Sequence, residues 1–361
     1  MTAAFTPSEL LELIADGLDD TALDSVPSWP AVLVDLTTPF ISADLERLTG
    51  LLETAPVVLI GLSQSGGVDD PAALGLDVLL CATESADAPW VECGPALDGV
   101  IDALCASIAA SPDASVALAQ LLRVGEASSA PEAVVAESWV YSLLQGGSRY
   151  ATWLKSRSAR TPKPRPNHSV VRVERAGNEL RITLDRPEVH NAYGAQMRDE
   201  LVEALRLVDV DRSITRVVLR GEGPSFCSGG DLDEFGTAPE PVEAHGIRTR
   251  RNAGVALSSI ADRTEVYVHG TCVGAGVELP AFASKVVAHS ATMFLLPEIS
   301  MGLVPGAGGT SSIPRRIGRH RAAFFGLSAQ PIDASTALQW GLVDLIDDEM
   351  FQQKNSNEGQ R

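Results

Sequence analysis

Apolar residues in the first third of the chain fall into short unbroken runs. "AVLVDL" (31–36), "PVVLIGLS" (56–63) and "LGLDVLLCA" (74–82) have strand length and predict strands buried on both faces. "SADLERLTGLLET" repeats leucines at helical intervals behind Ser42, which predicts a helix capped by that serine. Within residues 1–27, "PSELLELIADGLDD" reads as an acidic amphipathic helix. From about 96 to 158 the period is helical throughout: "ALDGVIDALCASIAAS", "DASVALAQLLRVGEA" and "AVVAESWVYSLLQGGSRYATWLKSRS".

The pattern breaks at "ARTPKPRPNHS" (159–169), where three prolines in six residues exclude helix and sheet. The chain is therefore expected to divide into an acidic α/β and helical unit (1–158), a linker (159–167), a second domain (168–350) and a polar tail (351–361). In the second domain, "HSVVRVERAGNELRITLDRP" alternates in period two around Ala176-Gly177-Asn178, a hairpin signal. Then helices at "GAQMRDELVEALRLVDVD" and "GIRTRRNAGVALSSIAD" alternate with strands at "TRVVLRGEG" and "EVYVHG". Such alternation implies an α/β fold with a parallel sheet covered by helices. "VVLIGLS" and "VVLRGEG" end similar strand–helix–strand units, an echo that a degenerate duplication would leave.

Charge sharpens the division. Residues 1–150 hold 22 acids against three arginines and no lysine, whereas the rest holds 25 acids and 25 bases, so the first half carries the whole net charge of −19. That half lacks the cations that phosphate contacts need, so no nucleic-acid partner is expected. An apolar content of 45% fits a folded protein. No apolar run nears the roughly 18–20 residues of a membrane span, so no membrane partner is expected. The N-terminus has no basic region ahead of its apolar part, unlike a signal peptide. Cysteines 81, 93, 105, 227 and 272 include no CxxC pair, which together suggests a cytoplasmic setting.

Candidate chemistry concentrates in "TCVGAGVELPAFAS" (271–284), which sets Glu278 among small and apolar residues. A carboxylate there must be paired, protonated or working. A second, Glu298, lies twenty residues on in "FLLPEISMGLVPGAGGTSSIPRRIG". A dinucleotide site fails because Leu279 occupies the position of the third glycine and Glu278 would face a pyrophosphate. "PGAGGT" lacks the lysine of a phosphate-cradling loop. No metal-ligand spacing and no Gly-x-Ser-x-Gly elbow occur. What remains is two carboxylates with backbone amides from the loop before Glu278 and from "CSGGD" (227–231), suited to a developing oxyanion.

"LDRPEVHNAYGAQM", "GPSFCSGGDLDEF", "VHGTCVGAGVELPAFASKVVA" and "PEISMGLVPGAGGTSSIPRRIG" resemble, in order and spacing, the motifs of the enoyl-CoA hydratase/isomerase (crotonase) superfamily over residues 168–346. The resemblance implies a crotonase-like spiral of ββα repeats and an oxyanion hole from the amides of Ser228 and Ala275. It implies an acyl-CoA site along Ser228, Gly229, Gly230 and Asp231 and along His190 to Ala192. Glu278 matches the residue that activates water and Glu298 the one that exchanges a proton at Cα. Retention of both acids points to hydration of a trans-2-enoyl-CoA. Enoyl-CoA isomerisation or acyl-CoA hydrolysis is the alternative within the superfamily, and a non-catalytic acyl-CoA-binding or scaffold subunit is the alternative outside enzymology. Coenzyme A belongs to the substrate, so no cofactor is expected, and the resemblance implies a trimer-based homo-oligomer.

Ala275 replaces a usual glycine, Pro280 a usual alanine, and only a short tail follows "ALQWGLVDLI", where the family normally continues with helices. Residues 96–158 resemble those helices. The first unit is thus expected to be a decayed, catalytically silent copy that covers the second. Of the remaining residues, Asp231 is expected to cap a following helix and His190 to sit in a surface loop. Trp139 and Tyr141 are expected on a core-facing side. Cys227 and Cys272 are expected to pack, and Arg315, Arg316 and Arg319 to be solvated or to meet CoA phosphates.

Overall fold

The computed structural model describes residues 4–15, 30–37, 55–66, 75–157, 166–237 and 240–351. After helix α1 (Pro7–Ala15), strands β1 (Ala31–Asp35), β2 (Val58–Ser63), β3 (Val78–Cys81) and β4 (Val91–Glu92) form a parallel sheet in that order. The unbroken apolar runs are explained by the pleat. Leu33, Val58, Ile60, Val78 and Leu80 join the large core, while Val32, Val34, Leu59 and Leu79 pack with Leu10 and Trp90 on the other face. The helix expected behind Ser42 and the tail beyond 351 lie outside the described residues, as do residues 159–165 of the linker.

Helices α2 (Leu97–Ala110), α3 (Pro112–Glu126), α4 (Ala130–Gln145) and α5 (Ser148–Ser156) follow. Glu132 starts α4 by accepting from both the amide and the hydroxyl of Ser129, with Pro131 in the first turn. Its buried face runs Ala133, Val134, Glu137, Ser138, a helical spacing with a carboxylate in the middle. Trp139 is 61% exposed rather than core-facing, and Tyr141 is only partly buried. One residue of helical phase separates the buried Ser138 from Trp139, so a turn of about 100° takes the indole to the rim, where it stacks on His245.

In the second half β5 (Val171–Ala176) and β6 (Glu179–Leu184) form the expected hairpin, closed by Gly177 and Asn178. Helix α6 (Ala195–Val210) leads to β7 (Arg216–Gly221). The helix read from 246 to 262 is two helices, α7 (Pro241–Arg250) and α8 (Ala253–Ser259), because Asn252 caps the second by accepting from the Val255 amide. Then come β8 (Thr264–Val268), β9 (Thr271–Val273), α9 (Ala275–Glu278), β10 (Lys285–Ala288), β11 (Met293–Leu295), α10 (Gly309–Ile317), α11 (Arg319–Ser328), β12 (Ile332–Asp333), α12 (Ala334–Trp340) and β13 (Leu345–Ile346).

The large sheet is ordered β13-β10-β8-β7-β6-β5, parallel except for the hairpin. A second layer, β12-β11-β9, is extended by bridges from Cys272 to Cys227 and from Gly230 to Tyr193. Each of β6, β7, β8 and β10 is therefore followed by a short extended segment in the second layer. The loops that carry the candidate residues leave from that layer.

The two halves share one core. A single cluster of buried side chains runs from Leu33 through Leu104, Leu118 and Val134 to Phe325 and Val343. The arginines expected to be solvated are ties across it or within the second half. Arg319 is buried and donates to the Leu76 carbonyl and to Glu126, Arg315 donates to the Ser128 carbonyl, and Arg316 pairs with Asp344. Among the described residues no single helix is long and apolar enough to cross a membrane.

Candidate functional site

Glu278 ends the short α9, where the chain has just turned at Gly274, with φ of 49°. Glu298 opens a single 3₁₀ turn, Glu298–Met301, after β11. Since β9 and β11 are parallel neighbours, the segments that follow them emerge side by side and bring the two acids together. A methyl group built on Gly274 would lie 2.5 Å from Glu298 Oε1 and 3.8 Å from Glu278 Oε1. The two carboxylates thus flank one glycine, and no side chain fits between them.

Their surroundings differ. Glu278 is 2% exposed, and its Oε2 accepts from the amides of Ala307 (2.7 Å) and Gly309 (2.8 Å). Glu298 Oε2 is buried and has no hydrogen-bond partner. Burial pushes the Glu278 carboxyl up, and the amides of Ala307, Gly309 and Gly306 pull it partly back. Glu298 has no such amides from its neighbours: burial, then the charges of Glu278 and Glu137, push it well above the carboxylate range. Among the described residues no group of three or more such side chains is placed to hold a metal ion.

Of the two amide donors read in the sequence, Ser228 and Ala275, the first differs. Ser228 donates its amide to the His190 carbonyl at 2.9 Å and its hydroxyl to Val189, so that amide is spent within the loop. The neighbouring pairs Tyr193 N to Gly229 O and Asp231 N to Tyr193 O turn the Gly230 amide away from the ladder. Among the described residues neither the Gly230 nor the Ala275 amide finds an acceptor, and both residues line the same cavity as the two glutamates. Gly229 packs against the Val273 carbonyl and Gly276 against that of Cys227, contacts that hold the two loops together.

That cavity, about 510 Å³, is lined by Gly230, Asp231, Ala275, Glu278 and Glu298 from the second half and by Tyr141, Gln145 and Tyr150 from α4 and α5. Ser228, Gly229, His190 and Ala192 do not line it: His190 is exposed with Nδ1 3.0 Å from Ser225, and Ala192 is buried. Asp231 caps no helix, since a turn follows; it pairs with Arg186 at 2.6 Å. Asn191 shapes this region from inside, with a left-handed backbone and a side chain that donates to the carbonyls of Glu222, Ser225 and Phe226. Cys227 and Cys272 are buried, and burial pushes both thiols up.

The sequence reading missed Glu137, which is 1% exposed on α4. It accepts from the amides of Gly308 (2.7 Å) and Thr310 (2.9 Å) and from the Thr310 hydroxyl (2.7 Å). Successive amides 307 to 310 therefore go alternately to Glu278 and Glu137. A glutamate at helical spacing from Ala133 and Val134 was the signal available for it. The first half is thus not silent in the geometry of the site.

The family model for enoyl-CoA hydratase/isomerase matches residues 174–357. The chain is 36% identical over 171 residues to 2,3-dehydroadipyl-CoA hydratase of Escherichia coli (strain K12), covering 47% of this chain and 66% of that protein. It is 32% identical over 175 residues to 1,2-epoxyphenylacetyl-CoA isomerase of the same strain, covering 47% and 67%. An enoyl-CoA hydratase structure from Mycobacterium smegmatis aligns with a TM-score of 0.48 at 25% identity, over 53% of this chain and 75% of that one. The chain spans about two thirds of the length of these curated relatives, and their names cover more than one reaction. With the family model spanning half of the sequence, the chain belongs to the enoyl-CoA hydratase/isomerase family.

Proposed function

We propose that the chain hydrates a trans-2-enoyl-CoA to a 3-hydroxyacyl-CoA. The observation that carries this reading is the meeting of Glu278 and Glu298 across Gly274, beside two amides without acceptors. Hydration adds hydroxide at Cβ and a proton at Cα, so it needs one base and one acid on the same substrate. Glu278, whose carboxylate is held by two amide hydrogen bonds, suits the base that takes a proton from water. Glu298, without a partner for Oε2, suits the acid that delivers a proton to Cα. Return of a proton from Glu278 to Glu298 through solvent resets the pair.

The thioester oxygen would lie between the amides of Gly230 and Ala275, in place of the Ser228 and Ala275 pair expected from sequence. Such a donor stabilises the enolate by roughly 2.7–4 kcal/mol. We read the alternation between the large sheet and the second layer as the spiral of ββα repeats. No cofactor is needed, because coenzyme A arrives with the substrate; a trimer-based assembly and a cytoplasmic setting complete the reading. Incubation with crotonyl-CoA and longer enoyl-CoAs tests it, followed by mass analysis of products. A gain of one water at the acyl group is expected; a shifted double bond or free coenzyme A would reject hydration.

A further inference from the structure

We infer that Glu137, on α4 of the acidic half, is a positioning residue of this site: through the loop 307–310 it sets where the Glu278 carboxylate stands. The inference rests on the proposed hydration for its catalytic readout, but its geometry is independent of it. Four consecutive amides are shared by two carboxylates, 307 and 309 by Glu278 and 308 and 310 by Glu137. Neither acid can move without displacing the loop that holds the other. Tyr141, one helical turn on from Glu137, packs its ring against Gly306 and closes the loop from the same side.

Phe282 and Val134 pack against Gly308 there, but such apolar contacts hold no amide in place. Gly306, Gly308 and Gly309 give it little side-chain bulk, and Gly308 has φ of 105°. A carboxylate with three hydrogen bonds at a fully buried position is a costly way to tie two segments, and an apolar contact would hold a purely structural loop. The tie also carries charge into the site. Glu298 feels Glu137 as a like charge, and Glu137 feels Glu278. The other charged or titratable groups that face this corner are Tyr141 on α4, Tyr150 on α5, Tyr193 and Cys227, and, from α7, Arg248 and His245, both bonded to Ser138. Arg248 is drawn to Glu137 but makes no ion pair with it among the described residues.

The test uses the full chain with Glu137→Gln and Glu137→Asp. Steady-state hydration of crotonyl-CoA gives kcat and KM, and carboxyl NMR of glutamate-labelled protein, assigned with Glu298→Gln, follows the Glu298 titration without turnover. Glu137→Gln should lower kcat about 100-fold, the cost of a misplaced catalytic group, with KM within about threefold. It should also move the Glu298 titration to lower pH. Glu137→Asp should restore the titration but not the full kcat. Wild-type kcat together with an unmoved titration in Glu137→Gln overturns the inference. If the wild-type chain hydrates nothing while the titration still moves, the proposed function falls and the positioning role stands. Should Glu137→Gln not fold, Thr310→Ala replaces it: a lower kcat at unchanged KM supports the role, and an unchanged kcat overturns it.

Discussion

Glu278 and Glu298, twenty positions apart, face each other across the backbone of Gly274, whose missing side chain leaves the room they share. Parallel pairing of β9 with β11 brings them there, and the two carboxyls differ in their hydrogen bonding.

Substituting Gly274 tests that geometry. In Gly274→Ala the new methyl lies within 2.5 Å of Glu298 Oε1, on a backbone with φ of 49° that an L-residue adopts under strain. Glu298 must swing aside, and kcat should fall at least about 100-fold. Wild-type kcat in a folded Gly274→Ala protein would contradict the arrangement.

Removing the acids singly should be severe and not multiplicative. Glu278→Gln and Glu298→Gln should each cost about 10²–10⁴ in kcat/KM, and the double variant should be little worse than the poorer single one, because the two act as a unit. Steady-state kinetics of the three proteins checks this. A double variant that loses the product of both factors would mean that the acids act independently.

Stability should depend on pH through the same acids. Burial raises the carboxyls of Glu137, Glu278 and Glu298 above their unfolded values, so the folded chain binds more protons than the unfolded one between the ordinary carboxylate range and those raised values. Stability should therefore fall as pH rises through that window, the opposite of a salt-bridged carboxylate. Urea unfolding at pH 5 and pH 8 should show the loss, smaller in Glu298→Gln. An equal loss in the variant would remove Glu298 from the effect.

The acidic half should be indispensable to the fold. Arg123 and Asp77 pair at 2.6 Å with side chains only 5% and 1% exposed, and Arg123 also donates to the carbonyls of Ala55 and Val57. Arg123→Met leaves the Asp77 charge to the more distant Arg319, at 3.6 Å, and to the Leu59 amide, and should cost about 3 kcal/mol in denaturant unfolding. A fragment of residues 166–361 strips Leu118, Val134 and Glu137 from the shared core and loop, and should be insoluble or inactive. A soluble, fully active fragment would show that the second half stands alone.

The sequence made part of this legible. Glu278 stood out because its neighbours cannot hydrate it, and Glu298 because the motifs placed it. Strands β1 to β3 and β5 to β8 followed from unbroken or alternating apolar runs, whereas β4 and β9 to β13 are too short to show a period. The Gly230 donor did not follow, because which amide of 228 to 231 is free depends on Tyr193 and on the His190 carbonyl, pairings that leave no trace in residue type. Glu137 was hidden for a related reason: its partners are backbone amides 171 and 173 positions away. The break between α7 and α8 was readable, since Asn252 is a capping residue, but the apolar period ran across it. Trp139 was misplaced because "SWVY" fits a helix without fixing its phase.

The central claim is that two acids and two free amides add water across a conjugated thioester. Turnover of crotonyl-CoA in heavy-oxygen, deuterated water measures it most directly. One solvent oxygen at C3 and one deuteron at C2 of the product are expected, both incorporated about 10²–10⁴-fold more slowly in Glu298→Gln. A product without solvent oxygen at C3, or labelling at the wild-type rate in the Glu298 variant, would contradict it.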